Sequence, residues 1–180
     1  MMRIAILSIL VIFMSCASAK NTFTSTEINN LIGTVASKNI EATFNWAQPT
    51  GLSNVRGFNK LLPPGSSANN INLIGNANFF RIKNDSIHID LPYYGEQQMS
   101  TGYTSGSGIK FEGKASETSK VYNERKGAYI IAYSVQAKDE NYEIMLTLYA
   151  NNKSNLNVNS SHRSNISYNG DWKELKKTSK

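Results

Sequence analysis

The stretch Tyr129-Ile130-Ile131-Ala132-Tyr133-Ser134-Val135-Gln136-Ala137, followed closely by Tyr142-Glu143-Ile144-Met145-Leu146-Thr147-Leu148, decides the fold class. In an extended chain successive side chains point to opposite faces. Tyr129, Ile131, Tyr133 and Val135 therefore share one face, and Tyr142, Ile144, Leu146 and Leu148 share another. Asp139-Glu140-Asn141 lies between the two runs as a turn. Two period-two runs about a polar turn read as an antiparallel hairpin with one buried side.

The same pattern continues on both sides of this hairpin. Downstream, Asn155 to Ser160 and Asn165 to Asn169 are strand-like, and upstream so are Ile109 to Lys114 and Lys120 to Arg125. Earlier still come Ile71 to Ile74, Asn78 to Ile82 and Ser86 to Leu91, the last two joined by a tight Lys83-Asn84-Asp85 turn. Ile40, Ala42, Phe44 and Trp46 alternate with Glu41, Thr43 and Asn45, which puts the first four on one buried face of a strand that stops at Pro49. Thr50 to Asn70, with Pro63-Pro64-Gly65, is a long connection, and a glycine-rich polar loop runs from Pro92 to Gly108. The expected fold is all-β: an antiparallel meander of about eight strands closing into a barrel, because closure removes exposed edges. One element differs. Thr26 stands as an N-cap before Ile28, Leu31, Ile32 and Val35, which fall on one face of a short helix ending near Lys38 and packed on the sheet.

The N-terminus reads as an export signal. Arg3 supplies a positive charge, and Ile4 to Met14 is an apolar run broken only by Ser8, too short to span a bilayer. Two cleavage sites compete. Ala17-Ser18-Ala19 fits a cut before Lys20, giving a signal over residues 1–19. Phe13-Met14-Ser15-Cys16 ends in the sole cysteine, placed where a bacterial lipoprotein is acylated, giving a signal over 1–15 and a lipid anchor on Cys16. Either way the chain is expected outside the cytoplasm, periplasmic or held at the outer membrane. Residues 20–25 form a tether, 26–172 one domain, and 173–180 a basic flexible tail in which Lys173, Lys176, Lys177 and Lys180 face only Glu174. The net charge of +6 owes much to that tail, so no basic face for nucleic acid is expected. One cysteine allows neither an intrachain disulfide nor a cysteine zinc site.

Three phrases carry a resemblance: Asn84-Asp85-Ser86-Ile87-His88-Ile89-Asp90-Leu91-Pro92-Tyr93-Tyr94-Gly95, Gly108-Ile109-Lys110-Phe111, and Ser161-His162-Arg163-Ser164-Asn165-Ile166-Ser167-Tyr168-Asn169-Gly170. Together with the order of helix, Phe44-Asn45-Trp46-Ala47 strand and closing segment, they resemble domain-of-unknown-function family 4251 over roughly residues 25–171. The resemblance implies an exported, often lipid-anchored protein of Gram-negative bacteria with a lipocalin-like barrel, and it implies no activity.

Residue chemistry narrows the function. His88 alternates with Ile87 and Ile89 and so faces away from them, and His162 follows Ser160-Ser161 at a turn. Neither sits in a GxSxG or HExxH setting. Asp85 and Asp90 lack calcium-loop spacing, and Asp139-Glu140 is a turn pair, so neither a metal nor a cofactor is expected. Thr104-Ser105-Gly106-Ser107-Gly108 lacks the lysine and helix of a phosphate loop. Tyr93, Tyr94 and Tyr103 in one loop are candidate ligand-binding rings. Arg163, at the start of the last strand, either caps loop carbonyls and stacks on a tyrosine or binds an anion at the barrel mouth. Asp85-Ser86-Ile87 resembles a short O-glycosylation site on Ser86. The expectation is a non-enzymatic barrel that binds an apolar small molecule or an envelope component. The alternative is an envelope hydrolase whose site is assembled only in the fold.

Overall fold

In the computed structural model, which describes residues 23–51, 62–96, 98, 108–137 and 140–175, the hairpin that decides the fold class is present with the expected faces. Its strands are β7 (Ala128–Gln136) and β8 (Asn141–Tyr149), paired so that Ile131 meets Leu146 and Tyr133 meets Ile144. All four side chains are buried in one core.

The other elements are a helix α1 (Ser25–Ser37) and strands β1 (Asn39–Pro49), β2 (Ile71–Asn72), β3 (Phe79–Lys83), β4 (Ser86–Pro92), β5 (Gly108–Lys114), β6 (Ser116–Asn123), β9 (Lys153–Ser160) and β10 (Ile166–Glu174). The spatial order is β5-β4-β3-β1-β10-β9-β8-β7-β6, with β2 added to β1, and every pair is antiparallel. The sheet curls into an all-β, lipocalin-like half-barrel. Its two terminal strands, β5 and β6, are separated in the chain by Ala115 alone. They act as one bent strand whose first part pairs with β4 and whose second part pairs with β7. The core is continuous from Phe44 and Phe80 through Leu91 and Ile109 to Leu146, Tyr168 and Trp172.

Helix α1 begins two residues earlier than the sequence reading places it. The N-cap is Thr24, not Thr26, and the cap is reciprocal: Thr24 Oγ1 accepts from the Glu27 N–H at 3.2 Å, and the Glu27 carboxylate accepts from the Thr24 N–H at 2.8 Å. Glu27 stands three residues after Thr24, and only that spacing allows both bonds. Leu31, Thr34 and Val35 enter the core, and the helix stops at Lys38 in the left-handed conformation (φ 52°). Lys38 pairs with Asp85 in the β3–β4 turn at 2.8 Å, while Phe23 lies against Gly127 in the β6–β7 turn. The helix thus covers one end of the barrel.

Strand β1 departs from strict alternation. Ile40, Ala42 and Phe44 point inward as expected, but the register shifts between Phe44 and Trp46, so that Ala47 is buried and Trp46 turns outward, half-buried. Two distant residues impose this bulge. Gly170 on β10 lies so close that a Cβ there would sit 2.0 Å from the Thr43 carbonyl oxygen, and the Asn78 side chain accepts from the Phe44 N–H and donates to the Phe44 carbonyl, both at 2.9 Å. A β-bulge of this kind re-aims a side chain.

Strand β10 extends beyond the expected Asn165–Asn169 to Glu174, and Lys173, assigned in the sequence to a flexible tail, bonds Glu41 of β1 at 2.8 Å. The reason is cross-strand pairing, with Ile40 opposite Glu174 and Glu41 opposite Lys173. The lysines at 176, 177 and 180 lie outside the described residues, as do Cys16 and both cleavage sites. No helix among the described residues is long and apolar enough to cross a membrane.

Candidate functional site

At the barrel end opposite α1, the chain places three of the residues singled out by sequence, and Arg163 is the centre. It precedes β10 in the loop after β9, and its side chain is 7% exposed. Its Nε and Nη2 both lie 3.0 Å from Glu140 Oε2, and Nη1 donates to the Gly108 carbonyl at 3.1 Å. The guanidinium carbon stands 5.1 Å from the centre of the Tyr93 ring. One side chain therefore joins the β7–β8 turn, the first residue of β5 and the segment after β4.

Glu140 is the residue that sequence reasoning missed. It reads in the sequence only as half of a turn pair, yet it is buried, with Tyr142 donating to Oε2 at 2.8 Å and Ser160 donating to Oε1. Ser160 Oγ also accepts from the His162 and Arg163 N–H groups at 2.9 and 3.1 Å. A turn-like tripeptide carries no local sign of such burial. The signal available was Arg163, a cation in need of a counter-charge.

Tyr93 is half-buried. Its hydroxyl donates to the Ser164 carbonyl at 2.9 Å and meets Ser164 Oγ at 3.0 Å. Tyr168, fully buried, donates to the Pro92 carbonyl at 2.8 Å. Tyr94 packs half-buried against the core without entering this network, and Tyr103 lies outside the described residues. Burial raises the Tyr93 pKa, outweighing the bond to Ser164 and the nearby Arg163 charge. Burial also raises Tyr142, reinforced by the Glu140 carboxylate, and holds Tyr168 well above the ordinary phenol range. These phenols stay protonated and act as donors. The cluster is a polar seam with its donors and acceptors paired to one another.

The histidines are apart. His88, in the middle of β4, stacks edge-on against Phe79 at 4.9 Å between ring centres and lies 3.8 Å from Glu112. His162 Nδ1 meets Ser161 Oγ at 2.6 Å in the β9–β10 loop. Asp85 and Ser86 are exposed at the β3–β4 turn. Among the described residues two carboxylates are buried, Glu41 and Glu140, and each is held by an arginine, Arg81 and Arg163. Beside α1 a cavity of about 100 Å³ opens among Val35, Ile40, Ile87, Ile131 and Tyr133, with Lys38 and Asp85 at its charged side.

With this geometry in hand, comparison with known proteins gives a consistent result. Residues 23–172 match the family described as a domain of unknown function, DUF4251. A crystal structure of a DUF4251 family protein from Bacteroides eggerthii DSM 20697 is similar to the chain with a TM-score of 0.55 and 12% identity, covering 83% of this chain and 89% of that one. Among curated proteins none matches. At that identity the likeness speaks for the fold alone.

Proposed function

The chain belongs to the DUF4251 family, and on that premise we propose that it is a non-enzymatic binding protein of the cell envelope, exported, acylated on Cys16, and working through the outer surface of its barrel. The observation that carries this reading is the close packing of the interior among the described residues. Ile131, Tyr133, Ile144 and Leu146, the faces that would line a ligand chamber, are packed into a single core with Phe44, Phe80 and Tyr168. The cavity of about 100 Å³ beside α1 is well below the ~300–1,000 Å³ typical of small-molecule sites. A solid barrel meets an envelope component on its outside. Exposure of Ser86 beside Asp85 suits attachment of a glycan there, and the Arg163–Tyr93 seam holds the loops at the opposite end of the barrel.

The deciding experiment is mass spectrometry of the mature N-terminus from the native host, with membrane fractionation of the wild type and Cys16→Ala. A diacyl or triacyl Cys16, and release of the variant from the membrane fraction, is the expected result. An unmodified terminus at Lys20 overturns the anchor.

A further inference from the structure

The bulge in β1 changes the chemistry of the barrel's outer face. It lays the Trp46 indole in a groove of about 380 Å³ shared with Asn45, Tyr149, Asn155, Asn169 and Asp171, contributed by β1, β8, β9 and β10. That volume lies in the range of small-ligand sites, as the interior cavity does not. Amides and ion pairs line it. Asn155 donates to Asn169 at 2.9 Å, Asn169 donates to Gln48 at 2.9 Å, and Asn45 donates to Asp171 at 3.2 Å. Lys153 meets Asp171 at 2.6 Å, so the groove's cation and anion offset each other.

We propose that this groove binds a neutral oligosaccharide. An indole face accommodates the C–H side of a pyranose ring while its edge stays wet. Side-chain amides offer donors and an acceptor together, matching vicinal hydroxyls that need both. Trp46 is the stacking platform, and Asn155, Asn169 and Asp171 read the hydroxyls. A phosphate or nucleic-acid ligand would call for unmatched cations, and the lysine here is matched by Asp171. An apolar peptide would cover the amides and the Lys153–Asp171 pair without offering their remaining donors and acceptors a hydrogen bond. This inference rests on the reading that the barrel works through its outside, and it names the ligand class.

The test is tryptophan fluorescence of the mature chain titrated with neutral gluco-, xylo- and manno-hexasaccharides, with hexagalacturonate as the charged comparison. Trp172, the other tryptophan, is buried and bonded to the Tyr149 carbonyl, so quenching by sugar reports Trp46. Expected is saturable quenching of the wild type by a neutral hexasaccharide with a Kd below about 1 mM, and, by isothermal titration calorimetry, which needs no tryptophan, binding weakened at least about tenfold in Trp46→Ala and largely kept in Trp46→Phe. Asn155→Ala carries the same expectation if Trp46→Ala does not fold. Silence with every neutral hexasaccharide, equal binding of hexagalacturonate, or undiminished binding by the folded variant overturns the proposal. Mass spectrometry of the sugar afterwards separates the two readings. Shortened chains overturn the non-enzymatic reading and leave the groove as the site, whereas no binding by a chain acylated on Cys16 sinks the glycan alone.

Discussion

Arg163 and Glu140 form an ion pair 3.0 Å long in which both side chains are less than a tenth exposed. Removing the arginine alone leaves a carboxylate buried beside Tyr142 and Ser160. Arg163→Ala is therefore expected to lose about 3–5 kcal/mol of stability, measured by urea unfolding. Arg163→Met combined with Glu140→Gln recovers much of that loss, since a neutral pair has no uncompensated charge to bury. Equal losses in the single and double variants would contradict this account.

Glu41 predicts acid sensitivity on the outer face. Burial raises its pKa, but the bonds and charges of Lys173 and Arg81 together outweigh burial and hold it below the ordinary 4.5. The unfolded carboxyl has the higher pKa, so its contribution is present above about pH 4.5 and lost as pH falls through the folded value. Thermal unfolding of Glu41→Gln should fall less steeply than wild type below that pH. Parallel profiles would remove Glu41 from the acid response.

Two glycines are expected to respond in opposite directions. Gly170→Ala drives a methyl into the Thr43 carbonyl and the Phe44 Cα, both backbone atoms that cannot swing aside, and costs about 2 kcal/mol or more. Gly33 lies exposed within α1 with nothing within 4 Å of an added Cβ. Gly33→Ala should stabilise by about 0.5–1 kcal/mol. Denaturant midpoints of the two variants decide both points.

Asn78→Ala strips both bonds from the Phe44 backbone and leaves those groups buried, at a cost of about 1–3 kcal/mol. Because the same bonds hold the bulge, its Trp46 emission maximum should also move. Asn78→Asp keeps the acceptor but sets a buried anionic oxygen against the Phe44 and Asn76 carbonyls, and should cost at least as much as Asn78→Ala. An unchanged emission in Asn78→Ala would mean that Gly170 alone sets the bulge.

What the chain reveals residue by residue depends on distance along it. The β7–β8 hairpin and the β3–β4 turn at Asn84-Asp85 are legible because alternation and turn residues act within a few positions. The Trp46 reversal is not, because its causes, Gly170 and Asn78, sit far off in sequence and act through space. Glu140 is hidden for the same reason: its partners Arg163 and Ser160 belong to another loop. The sequence reading ends the domain at Trp172 because Lys173 looks like one more lysine in a charged run, and only Glu41 across the sheet gives it a place. Thr24 was legible in principle, since Glu27 three residues on marks the box and Thr26 has no such partner.

Strand β1 lies between β3 and β10, with Ile40 opposite both Ile82 and Glu174. The first strand made thus has one neighbour available early and waits for the last strand for the other, with nearly the whole domain as the intervening loop. Assembly can begin with the local hairpins β3–β4 and β7–β8–β9, but closing the sheet through β1–β10 carries the largest loop-closure entropy in the molecule. Folding is gated by completion of the chain: a ribosome-bound intermediate lacking the residues up to Glu174 has no means of finishing its sheet.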